Sequence, residues 1–208
     1  MTTGPATPAR RAAAVAWAAL GCGLLACLTA RPAAKPPPEE LTFQEGTVID
    51  TAAAARARAA FEDGEAARAR FEAVRLDPSS AGAEDLAARL DEKSTLLLAA
   101  QERYLAAIRE GDAGWAVAAG SRIGALYEDL HRALVDAPLP AGMDGGAADA
   151  YRGELRQRVR VLVTKAIEAY EETLGIARRS GVRSADVPRV EEGLGRMRRV
   201  LQETDAEG

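Results

Sequence analysis

Helical periodicity is the feature that most constrains what this chain can fold into. From about residue 47 onward, apolar residues recur at steps of three, four and seven, the spacing that places side chains along one face of an α-helix. No run of alternating β-branched residues is long enough to predict a strand. About 160 residues are enough to enclose one core of moderate size. The sequence therefore predicts one all-α domain over residues 47–203, followed by a polar tail over residues 204–208.

Two short helices are predicted at the start of this domain. The first covers residues 48–61, Gly64 and the aspartate before it break the helix, and the second covers residues 65–76 before Pro78 stops it. Small residues and an aromatic residue ahead of a Leu-x-Pro end make the second segment similar to the second helix of a tetratricopeptide repeat. We interpret the pair as a degenerate helical hairpin.

Longer helices follow, and turn and capping residues mark their ends. A helix over residues 83–110 ends at Gly111, and Asp112 is a suitable N-cap for the next helix, which runs to about residue 136. A further helix, about 45–50 Å long, carries an apolar stripe along residues 151–177 and should end at the following Ser-Gly pair. The loop between this helix and the one that ends near residue 136 is short and rich in proline and glycine. The two should therefore pack as one long antiparallel hairpin.

The last predicted helix begins near residues 184–186 and carries an apolar seam with steps of three and four. The seam consists of Val187, Val190, Leu194, Met197 and Leu201. We expect this helix to pack back on the long hairpin as a cap or as the first helix of an uncompleted repeat. An open seam that serves docking or dimerisation is the alternative.

A repeat-like packing pattern lies inside the long hairpin. Ile123-Gly124-x-x-Tyr127 matches the Leu-Gly-x-x-Tyr core of a tetratricopeptide first helix, and Ala166-x-x-x-Tyr170 matches the Ala-x-x-x-Phe core of the second. The two tyrosines are 43 residues apart, whereas an ordinary repeat has about 34 residues in total. We therefore expect one repeat stretched into an extended hairpin. Its predicted packing core comprises Trp115, Ile123, Gly124, Tyr127, Ala166 and Tyr170.

Four sequence blocks in a fixed order extend this resemblance. They are Trp115, Ile-Gly-x-Leu-Tyr at 123–127, Ala-Pro-x-Pro-x-Gly at 137–142 and Lys-Ala-x-Glu-Ala-Tyr at 165–170. With them, roughly residues 95–203 resemble the tetratricopeptide-repeat (TPR) envelope proteins associated with bacterial gliding-motility complexes. Proteins of that family are usually longer and carry many repeats. The resemblance implies a TPR-like fold and a periplasmic, non-enzymatic scaffold that holds envelope proteins together.

The N-terminal segment predicts where the protein is located. A basic pair at residues 10–11 and an uncharged run over residues 12–30 are typical of a secretory signal peptide. The residues Leu-Leu-Ala-Cys that end at Cys27 resemble the lipobox of bacterial lipoproteins, in which the cysteine is lipidated and becomes the mature N-terminus. Cys22 offers a poorer box. Leu28, which is not aspartate, implies sorting to the outer membrane by the general behaviour of lipoproteins.

These features divide the N-terminal region into a signal peptide over residues 1–26 and a lipidated, proline-rich tether over residues 27–46. Proline-rich residues 31–40 should be extended at about 3 Å per residue. An uncleaved inner-membrane signal anchor and plain secretion after cleavage remain the alternatives to a periplasmic, outer-membrane lipoprotein.

Composition excludes several classes of site. Both cysteines lie in the targeting segment, so the rest of the chain has neither a disulfide nor a thiolate metal site. Cleavage before Cys27 removes two arginines and no acid, which moves the net charge from −4 to −6. A nucleic-acid partner is therefore not expected, because no clustered positive charge is available for counterion release.

Residues that could carry chemistry are few. His131 is the only histidine, and its charged neighbours in the sequence indicate a helix-surface position. No metal cluster, phosphate loop or catalytic pair is predicted, so we expect no enzyme activity and no cofactor. Arg152, Arg156, Arg158 and Arg160 form a basic stretch that we interpret as a solvated helix face; contact with anionic lipid or an acidic partner is the alternative.

Two functions are compatible with these observations. The first is an outer-membrane-anchored, TPR-like adaptor that binds another envelope protein, in a motility complex or another envelope complex. The second is a structural envelope subunit that self-associates into a homo-oligomer and has no separate client.

Overall fold

The structure is a computed structural model that describes residues 51–76, 83–139 and 143–206. Its five helices are α1 (Thr51–Ala73), α2 (Ala83–Arg109), α3 (Ala113–Val135), α4 (Gly145–Ser180) and α5 (Asp186–Ala206). These described ranges contain helices and short connections and no strand. The predicted all-α class is confirmed.

The first helix differs from the sequence prediction. α1 is one continuous helix through Gly64, so the predicted break and the degenerate hairpin at the start of the domain are wrong. Gly64 is buried, and a Cβ placed on it would lie 2.6 Å from Cδ1 of Tyr104 in α2. The glycine therefore provides space for a tyrosine ring and does not end the helix. Residues 48–50 and 77–78 of that prediction lie outside the described residues.

Helices that are consecutive in the chain run antiparallel. Between α1 and α2, Arg56 donates to Glu110 (2.6 Å) near one end, and Lys93 donates to the Phe71 carbonyl (2.7 Å) near the other. Between α3 and α4, Gly120 faces Thr173. Farther along α3, Glu128 accepts a hydrogen bond from the earlier Tyr170 of α4. At its 1.5 Å rise per residue, the 36-residue α4 is about 54 Å long. It exceeds the expected 45–50 Å because it already begins at Gly145.

The helices form two layers. α1, α3 and α5 lie side by side, with Glu65 of α1 bonded to Arg122 of α3 and Glu128 of α3 bonded to Arg196 of α5. α2 packs against α1 and α3, and α4 packs against α3 and α5. Because α4 is antiparallel to both of its neighbours, α3 and α5 run parallel.

The helix ends follow the predicted turn chemistry. Gly111 adopts φ 82° and Gly181 adopts φ 67°, the left-handed conformation that glycine permits after a helix. Asp112 caps α3 by accepting a hydrogen bond from the Trp115 backbone N–H at 2.9 Å. At the C-terminal end of α1, Lys93 of α2 provides hydrogen-bond donors for the backbone: its Nζ donates to the carbonyls of Phe71 and Val74.

The terminal helix is packed within the chain. Val190, Leu194 and Met197 are buried, and they belong to the same core as residues of α3 and α4. The apolar seam is therefore not an open docking or dimer face. α5 also continues to Ala206, into the predicted polar tail, and Thr204 is buried with its hydroxyl bonded to the Val200 carbonyl (2.9 Å).

None of the helices in the described ranges combines the length and the hydropathy that a membrane-spanning segment needs. The signal peptide, Cys27 and the tether lie outside the described residues.

Candidate functional site

One tyrosine joins three helices at the centre of the second hairpin. A Cβ on Gly124 of α3 would lie 2.6 Å from Cζ of Tyr170, and a Cβ on Gly193 of α5 would lie 2.6 Å from the same atom. The Cδ1 edge of the ring faces Gly124 and the Cε2 edge faces Gly193. Tyr170 is thus wedged between two glycines, and this wedge sets how closely α5 approaches α3.

A buried carboxylate receives the tyrosine hydroxyl. Tyr170 donates to Glu128 at 3.0 Å, and Arg196 donates to both carboxylate oxygens at 2.9 and 3.2 Å. Arg132 adds a third donor at 3.1 Å. The Glu128 side chain is only 6% exposed. Burial alone raises the pKa of Glu128, but these hydrogen bonds and the two positive charges outweigh it and bring the pKa below its usual value.

The first hairpin contains the same combination of residue types. Tyr104 of α2 packs against Gly64 of α1 and donates to Glu65 at 2.5 Å, and Arg122 of α3 donates to that carboxylate at 3.0 Å. In each hairpin, a tyrosine from the second helix and an arginine from the following helix meet a glutamate from the first helix. The pKa of Glu65 is likewise lowered, because the bonds from Tyr104 and the arginine charges outweigh its burial.

The second helices of the two hairpins also share a spacing. Ala100-x-x-x-Tyr104 in α2 corresponds to Ala166-x-x-x-Tyr170 in α4, and all four residues are buried. This first copy was not predicted, because both helices of the first hairpin were expected within residues 48–76. The spacing in α2 was the signal that could have revealed it.

The six residues of the predicted packing core do not all pack against one another. Ile123, Gly124, Tyr127, Ala166 and Tyr170 are buried, and Trp115 is half-buried. Gly124 and Tyr170 are in contact, as the repeat pattern predicts. Tyr127 instead donates to Gln101 of α2 at 2.8 Å, and Trp115 packs at a tilt against Phe61 of α1 with ring centroids 5.2 Å apart. These two aromatic side chains therefore join α3 to the first hairpin.

A cleft of about 330 Å³ opens beside the Tyr170 wedge, between α3 and α5. This volume is at the small end of the range of ligand pockets. One wall is the α3 face formed by Glu128, His131, Arg132, Val135 and Asp136. The other wall is the α5 face formed by Arg196, Met197, Arg199, Val200 and Glu203. Each wall is one continuous helix face, because its residues follow each other at helical spacing.

His131 forms part of the α3 wall of this cleft and does not have the surface position expected from the sequence. Its residue exposure is 9%, and burial lowers the pKa of its imidazole below the usual value. The charged neighbours were misleading because α5 covers the α3 face on which His131 lies. Within the described part of the chain, its ring nitrogens make no hydrogen bond.

The basic stretch of α4 is neutralised locally. Arg158 pairs with Glu154 at 3.1 Å within its own helix. Arg160 pairs with Asp205 of α5 at 2.8 Å. These ion pairs favour the solvated-face interpretation over a free anion-binding surface. In the described ranges, no group of three histidine, cysteine, aspartate or glutamate residues is placed to hold a metal ion.

Comparison with protein-family models, with curated proteins and with solved structures found no match to this chain. The resemblance to TPR envelope proteins therefore stays a prediction from the sequence.

Proposed function

We propose that the protein is a lipid-anchored, periplasmic scaffold that binds another envelope protein through the cleft between α3 and α5. The observation that carries the proposal is this cleft, which is built on two helices held by the Tyr170 wedge. A site on fixed helices presents its side chains in a defined arrangement before a partner arrives, which lowers the ordering cost of association.

The two hairpins support a TPR-like interpretation of the scaffold. Both combine a glycine in the first helix with a small-x-x-x-Tyr pattern in the second, and α5 repeats the glycine contact with Gly193. α5 would then correspond to the first helix of a third, uncompleted repeat. In this interpretation α1, α3 and α5 line the surface that receives the partner, and the cleft lies between the last two of them.

The location of the scaffold rests on the N-terminal sequence. Lipidation of Cys27 would hold the protein at the outer membrane, and the proline-rich tether would keep the helices away from the bilayer. The Cys27→Ser variant should stall in processing or leave the membrane fraction, whereas Cys22→Ser should behave as the wild type. A Cys27→Ser protein of normal size that stays fully in the membrane fraction would contradict lipid anchoring.

In-cell photocrosslinking of the full-length protein tests the adaptor function. A photoreactive amino acid replaces Arg199 in the cleft, and a matched variant carries it at Arg58 of α1, an exposed position that does not line the cleft. We expect the cleft position, and not the α1 position, to capture one identified envelope protein, which should then co-purify with the unmodified chain. Capture of only a second copy of the chain would refute the adaptor and favour the self-associating subunit.

A further inference from the structure

The cleft between α3 and α5 is electrically divided along its length. The guanidinium groups of Arg132 and Arg196 lie at Glu128, and that of Arg199 reaches back toward Gly195 on the same side. Because the two helices run parallel, Asp136 and Glu203 lie together at the other end of the cleft. The two ends are separated by seven to eight helical residues, or about 10–12 Å. The carbonyls at the C-terminus of α3 add partial negative charge to the acidic end.

Of the charged residues that line the cleft, Glu128 and Arg132 are paired with each other within the fold, whereas the others keep charge that faces the cleft. Within the described residues, Arg199, Asp136 and Glu203 take part in no ion pair. Arg196, although bonded to Glu128, keeps 47% of its side chain exposed. Both ends therefore retain charge that a partner can neutralise.

Between the charged ends, the cleft is mainly apolar. Val135, Met197 and Val200 line this middle section together with the neutral imidazole of His131. Arg132 lies on the same stretch of α3, but its guanidinium turns back to Glu128 and Asp129. A volume of about 330 Å³ admits a few side chains and leaves the backbone of the bound segment outside. The bound segment should thus present apolar side chains in the centre and opposite charges at its two ends.

We propose that the cleft binds a helical segment of a partner protein that carries an acid at position i, apolar residues at i+3 and i+4, and a lysine or arginine at i+7. A helix repeats the rise of the two cleft walls, so residues seven positions apart match the separation of the charged ends. The acid faces Arg196 and Arg199, and the base faces Asp136 and Glu203. This arrangement also agrees with the macrodipole of the bound helix, which favours acids toward its N-terminus and bases toward its C-terminus.

The inference rests on the proposed adaptor function and gives that function its specificity. A segment with acids at both positions meets Asp136 and Glu203 with like charge, and one with bases at both positions meets Arg196 and Arg199. A neutral segment loses both attractions. The divided cleft thus selects a charge pattern, not a net charge.

The test uses the full-length protein in nonionic detergent and four fluorescein-labelled, alanine-based helical peptides of about 18 residues, long enough to form helix alone. Each peptide carries leucine at i+3 and i+4. Positions i and i+7 are Glu/Lys, Glu/Glu, Lys/Lys or Gln/Gln. Fluorescence anisotropy should show the Glu/Lys peptide binding roughly 5- to 20-fold more tightly than the two like-charged peptides, with the neutral peptide between them.

Variants identify the end that each charge contacts. Glu203→Gln should weaken the Glu/Lys peptide and reduce the discrimination against Glu/Glu, and Arg199→Gln should reduce the discrimination against Lys/Lys. Glu191→Gln, an exposed acid on α5 outside the cleft, is the matched control and should change neither.

Binding of all four peptides within about twofold of one another, or of none at ~1 mM, would overturn the inference. A partner captured by crosslinking at position 199 whose contacting segment lacks the pattern would also overturn it, while leaving the adaptor function intact. Failure of the crosslinking to capture a partner would instead count against the adaptor itself.

Discussion

Two glycines of α5, only two residues apart, should respond to alanine in opposite directions. A Cβ on Gly193 would lie 2.6 Å from Cζ and 2.8 Å from the hydroxyl oxygen of Tyr170, whereas a Cβ on Gly195 would meet only the end of Arg199 at 3.7 Å. The Tyr170 ring cannot move away from Gly193, because its other edge already lies against Gly124. Gly193→Ala must therefore displace α5 or break the wedge.

The magnitude follows from opposing contributions. Both substitutions add about 1 kcal/mol of helix propensity, since alanine is the better helix former. At Gly195 nothing opposes this gain, so stability should rise by up to ~1 kcal/mol. At Gly193, overpacking costs about 1–3 kcal/mol. The distorted Tyr170–Glu128 hydrogen bond removes part of a further ~1.5–3 kcal/mol, because the acceptor is charged. The net loss should be about 1–3 kcal/mol.

Urea and thermal denaturation followed by circular dichroism measure both variants. For a domain of this size, about 1 kcal/mol corresponds to a shift of roughly 2–4 °C in Tm. Tyr170→Leu in the same chain removes the wedge, so Gly193→Ala should lose most of its penalty in that background. If Gly193→Ala melts at or above the temperature of Gly195→Ala, or if its penalty is unchanged by Tyr170→Leu, the wedge does not hold α5 in place.

Three further predictions concern buried polar groups. Glu128→Gln should destabilise the fold by about 1–3 kcal/mol. The folded pKa of Glu128 lies below the usual 4.5, so the carboxylate stabilises the fold fully above pH 4.5 and loses this effect as the pH falls through the folded pKa. The stability of Glu128→Gln should therefore depend less on acid pH than the stability of the wild type. The lowered pKa of His131 predicts a loss of stability as the pH falls below 6.5, which His131→Gln should remove; the single imidazole signal in an NMR titration reports the pKa directly. Lys93→Met leaves the Phe71 and Val74 carbonyls without their donor and should cost about 1–3 kcal/mol in urea denaturation.

Helix ends were predictable because their causes are local. Gly111, Asp112 and Gly181 act through their own backbone angles or through a bond three residues away. The helical class was predictable for the same reason, since periodicity within one helix identifies its buried face. These features need no knowledge of which helices are neighbours.

The sequence predictions were wrong where the structural role of a residue depends on which other helix packs against it. Gly64 has the sequence appearance of a helix breaker, but its function depends on Tyr104, which is 40 residues away. His131 has charged neighbours in the sequence and is nevertheless covered by α5. In both cases a contact distant in sequence outweighs the local pattern, so a single sequence offers no direct signal for it.

The cleft also depends on contacts between residues that are distant in sequence, and one of its residues contributes both to the stability of the fold and to partner binding. Arg196 bonds to Glu128 in the fold and also presents its exposed surface to the cleft, so any partner acid that reaches Arg196 competes with Glu128 for the guanidinium. Glu128 keeps the donors Tyr170 and Arg132 if Arg196 turns toward a partner, which limits the cost of sharing. Arg199 has no such internal partner among the described residues and can supply a full charge pair. Arg199→Gln should consequently weaken peptide binding without lowering the urea midpoint, whereas Arg196→Gln should lower both.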